Sequence, residues 1–114
     1  MTRDAWHVTD CGDALTVSRR VPPRFDLCAE TRLPQLRRRA LAHEVRKDMW
    51  RTLRSLRGFA PVVEVTKVEG GLRLRAGGAV AGPVSQNAHD RLSALLSCPD
   101  RRARWIRHAR LHSC

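Results

Sequence analysis

Arg46, Trp50 and Arg54 stand four residues apart, a spacing that sets three side chains next to one another on an α-helix. A guanidinium can hold a phosphate through two parallel hydrogen bonds, and an exposed indole offers a flat face for a nucleobase. Arg39, Lys47 and Arg57 fall on the same side when residues are placed about 100° apart. Arg101, Arg104 and Arg107 form a second cationic series at three-residue steps near the C-terminus. These nine residues are the candidate nucleic-acid contacts. The plainer alternatives are that the arginines form a solvated face and that Trp50 packs on a neighbouring element.

Other chemistries find less support. His7-x3-Cys11 and His108-x3-His112, with Cys114 nearby, carry spacings that a helix face could present to a metal, but no C-x2-C pair occurs and no metal site is expected. His43 and His89 read as surface histidines. Neither a G-x-S-x-G elbow, a phosphate-binding P-loop nor a G-x-G-x-x-G turn is present, and the carboxylates are few and scattered. A non-enzymatic protein without a cofactor is therefore expected. A helix-turn-helix is conceivable in Asn87–Leu96 and Asp100–Leu111, whose second helix is the arginine-rich one. Arg73 and Arg75 on a glycine-tipped hairpin would then form its wing.

Charge sharpens the choice of partner. Twenty-two Lys and Arg stand against eleven Asp and Glu, a net +11. Residues 1–32 hold five of each sign, so the entire excess lies in residues 33–114. Such a field concentrates polyanions around the protein. Twenty of the basic residues are Arg and two are Lys, a bias that GC-rich coding would also produce. The four cysteines, with no apolar leader at the N-terminus and no apolar run long enough to cross a bilayer, read as reduced thiols in the cytoplasm.

The elements that must position these residues follow from periodicity. Pro34 to Arg57 reads as one long amphipathic helix, with Thr31 as cap, Pro34 in the first turn and Gly58 as the stop. Leu41, Val45, Met49, Leu53 and Leu56 form its apolar stripe. Arg38 intrudes on that stripe near the start, where an overhang beyond the core would accommodate it, and Glu44 and Asp48 sit at its flank. The period then changes from 3.6 to 2. Val62–Val68 and Leu72–Ala76 make a β-hairpin turned at Glu69-Gly70-Gly71, with Val63, Val65, Leu72 and Leu74 inward and Glu64 beside Arg73 and Arg75 outward. Gly77-Gly78 ends the return strand, and Ala79–Ala81 is a candidate third short strand. Two helices close the chain: one capped by Ser85 or Asn87 with Leu92, Leu95 and Leu96 apolar, and one capped by Ser97 with Ala103, Ile106 and Ala109 on its inner side.

Residues 1–32 lack a sustained period. Apart from a possible short strand at Thr16–Ser18, they are expected to be a loosely ordered arm broken by Pro22-Pro23. The expected fold is thus α+β: an N-terminal arm over residues 1–32, then a single small basic domain over 33–114. Its core would be Leu41, Val45, Met49, Leu53, Leu56, Val63, Val65, Leu72, Leu74, Leu92, Leu95 and Ile106. The expected function is binding of DNA or RNA through the arginine-rich helix face. An adaptor docking on an acidic protein surface is the alternative.

Overall fold

A computed structural model describes residues 6–111. Three helices pack on one side of a five-stranded antiparallel sheet. In chain order the elements are β1 (His7–Cys11), β2 (Ala14–Ser18), β3 (Leu27–Leu33), α1 (Arg38–Leu53), β4 (Ala60–Val68), β5 (Gly71–Ala79), α2 (Gln86–Ser97) and α3 (Pro99–Ala109). The sheet order is β1-β2-β4-β5-β3. The β4–β5 hairpin occupies the middle, β1–β2 flanks it on the β4 side, and β3 crosses to the far edge beside β5.

This corrects the expected architecture. The stretch read as a loosely ordered arm supplies three of the five strands, so a lone hairpin under one helix is not the fold. Local signals for these strands are weak because their stability comes from distant partners. Leu15 lies opposite Val65 and Val17 opposite Val63, while Thr31 lies opposite Leu74 and Leu33 opposite Leu72. Leu15, Val17, Leu27 and Leu33 are all buried in the same core as the hairpin valines. Two local signals do exist: the short strand read at Thr16–Ser18 falls within β2, and a turn precedes it. Gly12-Asp13 joins β1 to β2 as a two-residue loop, with Gly12 at φ +67° in the position where such turns favour glycine.

The hairpin itself follows the expected register. Val63 pairs with Ala76 and Val65 with Leu74 on the helix-facing side, and Glu64 pairs with Arg75 on the other. Arg75 Nη1 donates to Glu64 Oε1 at 3.0 Å. Two expectations around β5 fail together. Gly77-Gly78 does not end the strand, and Ala79–Ala81 is not a separate one, because β5 runs on to Ala79. The glycines permit this by letting neighbours come close. A Cβ on Gly77 would lie 1.8 Å from the Leu27 carbonyl oxygen, and one on Gly78 would lie 2.1 Å from that of Ala60.

The long helix is shorter than its sequence pattern. It begins at Arg38, after a bend that contains Pro34, and Thr31 lies within β3 instead of capping it. Gly58 does take the left-handed conformation, at φ +67°, but a turn separates it from the helix end at Leu53. Leu41, Val45, Met49 and Leu53 are fully buried, with Leu56 and Ile106 packed at the edge of the core. Arg38 does not overhang. Its side chain is only 15% exposed, and its Nη2 lies 3.6 Å from Asp10 Oδ1 on β1.

The last two helices meet at Cys98. Ser85 caps α2 by accepting from the Ala88 N–H at 3.0 Å. Pro99 occupies the first turn of α3, and Cys98 replaces Ser97 as its N-cap residue. The inner side of α3 is Trp105 and Ala109, with Ala103 exposed. Trp105 is wholly buried.

Candidate nucleic-acid interface

Strand alternation places the N-terminal aromatic. Val8 and Val17 face each other across β1–β2 and point to the helices, so Trp6, two residues before Val8, points the same way. There it meets α1. The Arg46 guanidinium lies 4.4 Å from the Trp6 ring centre and that of Arg19 lies 5.5 Å away. Arg19 is held just beyond the end of β2 because its N–H donates to the Pro61 carbonyl at 3.0 Å. Across the gap, Trp50 lies parallel to Phe59, with planes 7° apart and ring centres 6.2 Å apart. Phe59 is buried and Trp50 is 44% exposed.

These groups border a cleft of about 450 Å³ between the end of β2, the outer side of α1 and the start of β4. Its rings are Trp6, Trp50 and Phe59, with Pro61 beside them. Its charges are Arg19, Arg20, Arg46, Lys47 and Arg51, and no carboxylate is among the described residues that line it. Two of these cations also touch acids outside the cleft: Lys47 Nζ is 2.8 Å from Glu44 Oε2, and Arg51 Nη1 is 3.9 Å from Asp48 Oδ1. Arg46 Nε donates to His43 Nδ1 at 2.9 Å. Burial, and then the charges of Arg46, Arg39 and Lys47, push the His43 pKa below its ordinary value. A neutral imidazole suits its role as acceptor.

Of the nine contacts expected from sequence, Arg46, Lys47 and Trp50 line this cleft. Arg39 is exposed elsewhere on α1, Arg54 and Arg57 are exposed in the turn after it, and Arg107 is exposed on α3. Arg101 and Arg104 turn toward Asp48, the residue that sequence placed at the flank of α1. Asp48 is only 2% exposed. Its Oδ2 accepts from Trp105 Nε1 at 2.7 Å and from Arg104 Nη2, and Arg101 Nη1 approaches Oδ1 to 3.7 Å. A buried carboxylate needs this degree of compensation. The place of Asp48 at the edge of the apolar stripe left both orientations open, and the donors arriving from α3 turn it inward.

Sequence reasoning missed Trp6, Arg19, Arg20, Phe59 and, on α1 itself, Arg51. The first three lay in the stretch taken as an arm, and Phe59 reads locally as a strand start. The β1–β2 and β2–β4 ladders bring Trp6, Arg19 and Arg20 to α1.

One more α3 arginine also binds protein. Arg102 donates to Thr31 Oγ1 at 2.9 Å and to the carbonyls of Leu96 and Arg32 at 3.0 and 2.6 Å. With Arg102 inside and two neighbours turned to Asp48, α3 is braced against α1 and β3, unlike a recognition helix standing clear of its domain. His7 and Cys11 lie on a strand, about 13 Å apart at the usual rise, not on one helix turn. His112 and Cys114 lie outside the described residues. Among the described residues no three His, Cys, Asp or Glu gather in metal-binding geometry, and no helix is long and apolar enough to cross a membrane. No family model, no curated protein and no solved structure matches this chain.

Proposed function

We propose that this is a non-enzymatic cytoplasmic nucleic-acid-binding protein that grips phosphates at the cleft between β1–β2 and α1. One observation carries the reading: five cations surround three aromatic rings, with no carboxylate among the described lining residues. Cations alone would suit any polyanion. Rings among them add a surface that stacks on bases and gives an acidic peptide nothing comparable.

The test is a salt titration of binding to short DNA and RNA. Engaging three to five phosphates predicts a log–log slope of roughly −2 to −4.5, at about 0.7 per phosphate on single strands and 0.9 on duplex. Binding that ignores salt, or no binding at low salt, would overturn the proposal. So would a protein partner that survives nuclease treatment and competes for the Arg19–Arg20 surface, the outcome expected of an adaptor.

A further inference from the structure

A second hollow of about 290 Å³, along Val21, Pro22 and Pro23 to Arg24, shares Arg20 with the aromatic cleft but opens on the other face of the sheet, since Ala60 and Val62 line it where Phe59 and Pro61 line the first. The two hollows differ in chemistry. The first combines rings and cations, and the second is mainly apolar with an arginine at either end.

We infer that the aromatic cleft takes a single strand, with an unpaired base stacked at Trp50 and the neighbouring phosphates held by the cations around it. The inference rests on the proposed nucleic-acid reading and narrows it to one form of the partner. Three observations support it. First, the rings lie inside a concavity, where the stacked bases of a duplex cannot reach them. Second, about 450 Å³ matches a pocket for one small planar group, whereas the diameter of a duplex far exceeds it. Third, five cations exceed the charge of one nucleotide, so the field suits successive phosphates of a strand better than a free mononucleotide. Trp50 is the stacking platform because it is partly open while Phe59 fixes its plane from beneath. Arg46 and Arg19 on the Trp6 ring hold two guanidiniums beside the same space.

The experiment compares anisotropy of labelled single strands of about eight nucleotides, within the range bound by known single-strand sites, with a hairpin duplex of equal phosphate count. Adenosine monophosphate serves as competitor. The full-length protein and Trp50→Ala and Trp50→Phe variants are measured in parallel, with thermal unfolding to show that each is folded. The inference expects at least tenfold preference for the single strand. It also expects a loss of about tenfold or more in Trp50→Ala, most of it recovered in Trp50→Phe, and weak competition by the mononucleotide. Tryptophan fluorescence should be quenched on binding in the parent and reduced in that response in Trp50→Phe, since Trp105 is sealed in the core. Equal affinity for hairpin and single strand, with Trp50→Ala unchanged, would overturn the inference and leave phosphate gripping intact. Displacement by the mononucleotide at the strand's own concentration would also overturn it. Failure to bind either form at low salt would overturn both readings.

Discussion

At the scale of single residues, the most consequential side chain is Asp48. It accepts the indole N–H of a wholly buried tryptophan and neutralises arginines from two helices. Replacing it by alanine leaves Trp105 Nε1 unpaired inside the core and removes the countercharge of Arg104. We expect Asp48→Ala to lose about 2–4 kcal/mol of stability in urea unfolding, and Asp48→Asn to lose less because an acceptor for the indole remains. Two titrations should act on stability in the same direction. His43 has a folded pKa below its ordinary 6.5, so the folded state binds fewer protons and stability falls as pH drops below about 6.5. Asp26 is held below its ordinary 3.8 by the Arg24 hydrogen bond and then by the Val80 N–H, so its contribution is lost as pH falls further, from about 4 downward. A His43→Gln variant should flatten the first decline and leave the second, as read from denaturation midpoints at a series of pH values.

At the scale of elements, β5 is pinned by glycines and the sheet depends on its N-terminal strands. Gly77→Ala would drive a methyl into the Leu27 carbonyl, 1.8 Å away, with Cys28 Cα at 3.0 Å. Strand β3 would have to move, at a cost of about 2 kcal/mol or more, and thermal unfolding would show it. Deleting residues 1–18 removes β1 and β2, strips Leu15 and Val17 from the core and opens the long edge of β4. We expect that shortened chain to lose cooperative unfolding and to self-associate, which calorimetry and light scattering would report. A dispensable arm would leave both unchanged. Helix α3 illustrates how arginine can serve architecture: Arg102 ties β3 to the end of α2, and Arg37 at the start of α1 donates to the Arg110 and His108 carbonyls at the end of α3. A planar guanidinium with five donors suits such bracing better than lysine does. That gives the arginine bias a structural cause beside coding bias and phosphate binding.

At the scale of the molecule, the net +11 is not spread evenly in its consequences. On the sheet face away from the helices, Arg75 lies between Glu64 and Glu30 in register, so that row is close to balanced. On α3, Asp48 absorbs part of the charge. The cleft keeps its cations without a lining carboxylate among the described residues. Arg20→Gln should therefore weaken nucleic-acid binding and reduce the salt slope by about 0.7–0.9, whereas Arg107→Gln should change neither by much. Equal effects of the two substitutions would mean that net charge alone governs binding.

The sequence by itself determined the elements whose period is long and local. These are the apolar stripe of α1, the alternation and inward face of the β4–β5 hairpin, and two closing helices with Ser85 and Pro99 at their starts. Repeating spacing within one segment carries that information, since each residue is oriented by its neighbours. Tertiary structure decided that the N-terminal stretch holds three paired strands, of which only Thr16–Ser18 within β2 was read as one, because segments such as Leu27–Leu33 are stabilised by pairing with the distant β5. It decided too that Asp48 turns inward, because only the arrival of Trp105 and Arg104 from α3 makes a buried carboxylate tolerable. The candidate site divides along the same line. Arg46, Lys47 and Trp50 were legible as one helix face. Trp6, Arg19 and Arg20 join them only when the sheet closes, since their convergence depends on the β1–β2 and β2–β4 ladders and on no spacing along the chain, while Arg51 and Phe59 come from α1 and the segment that follows it.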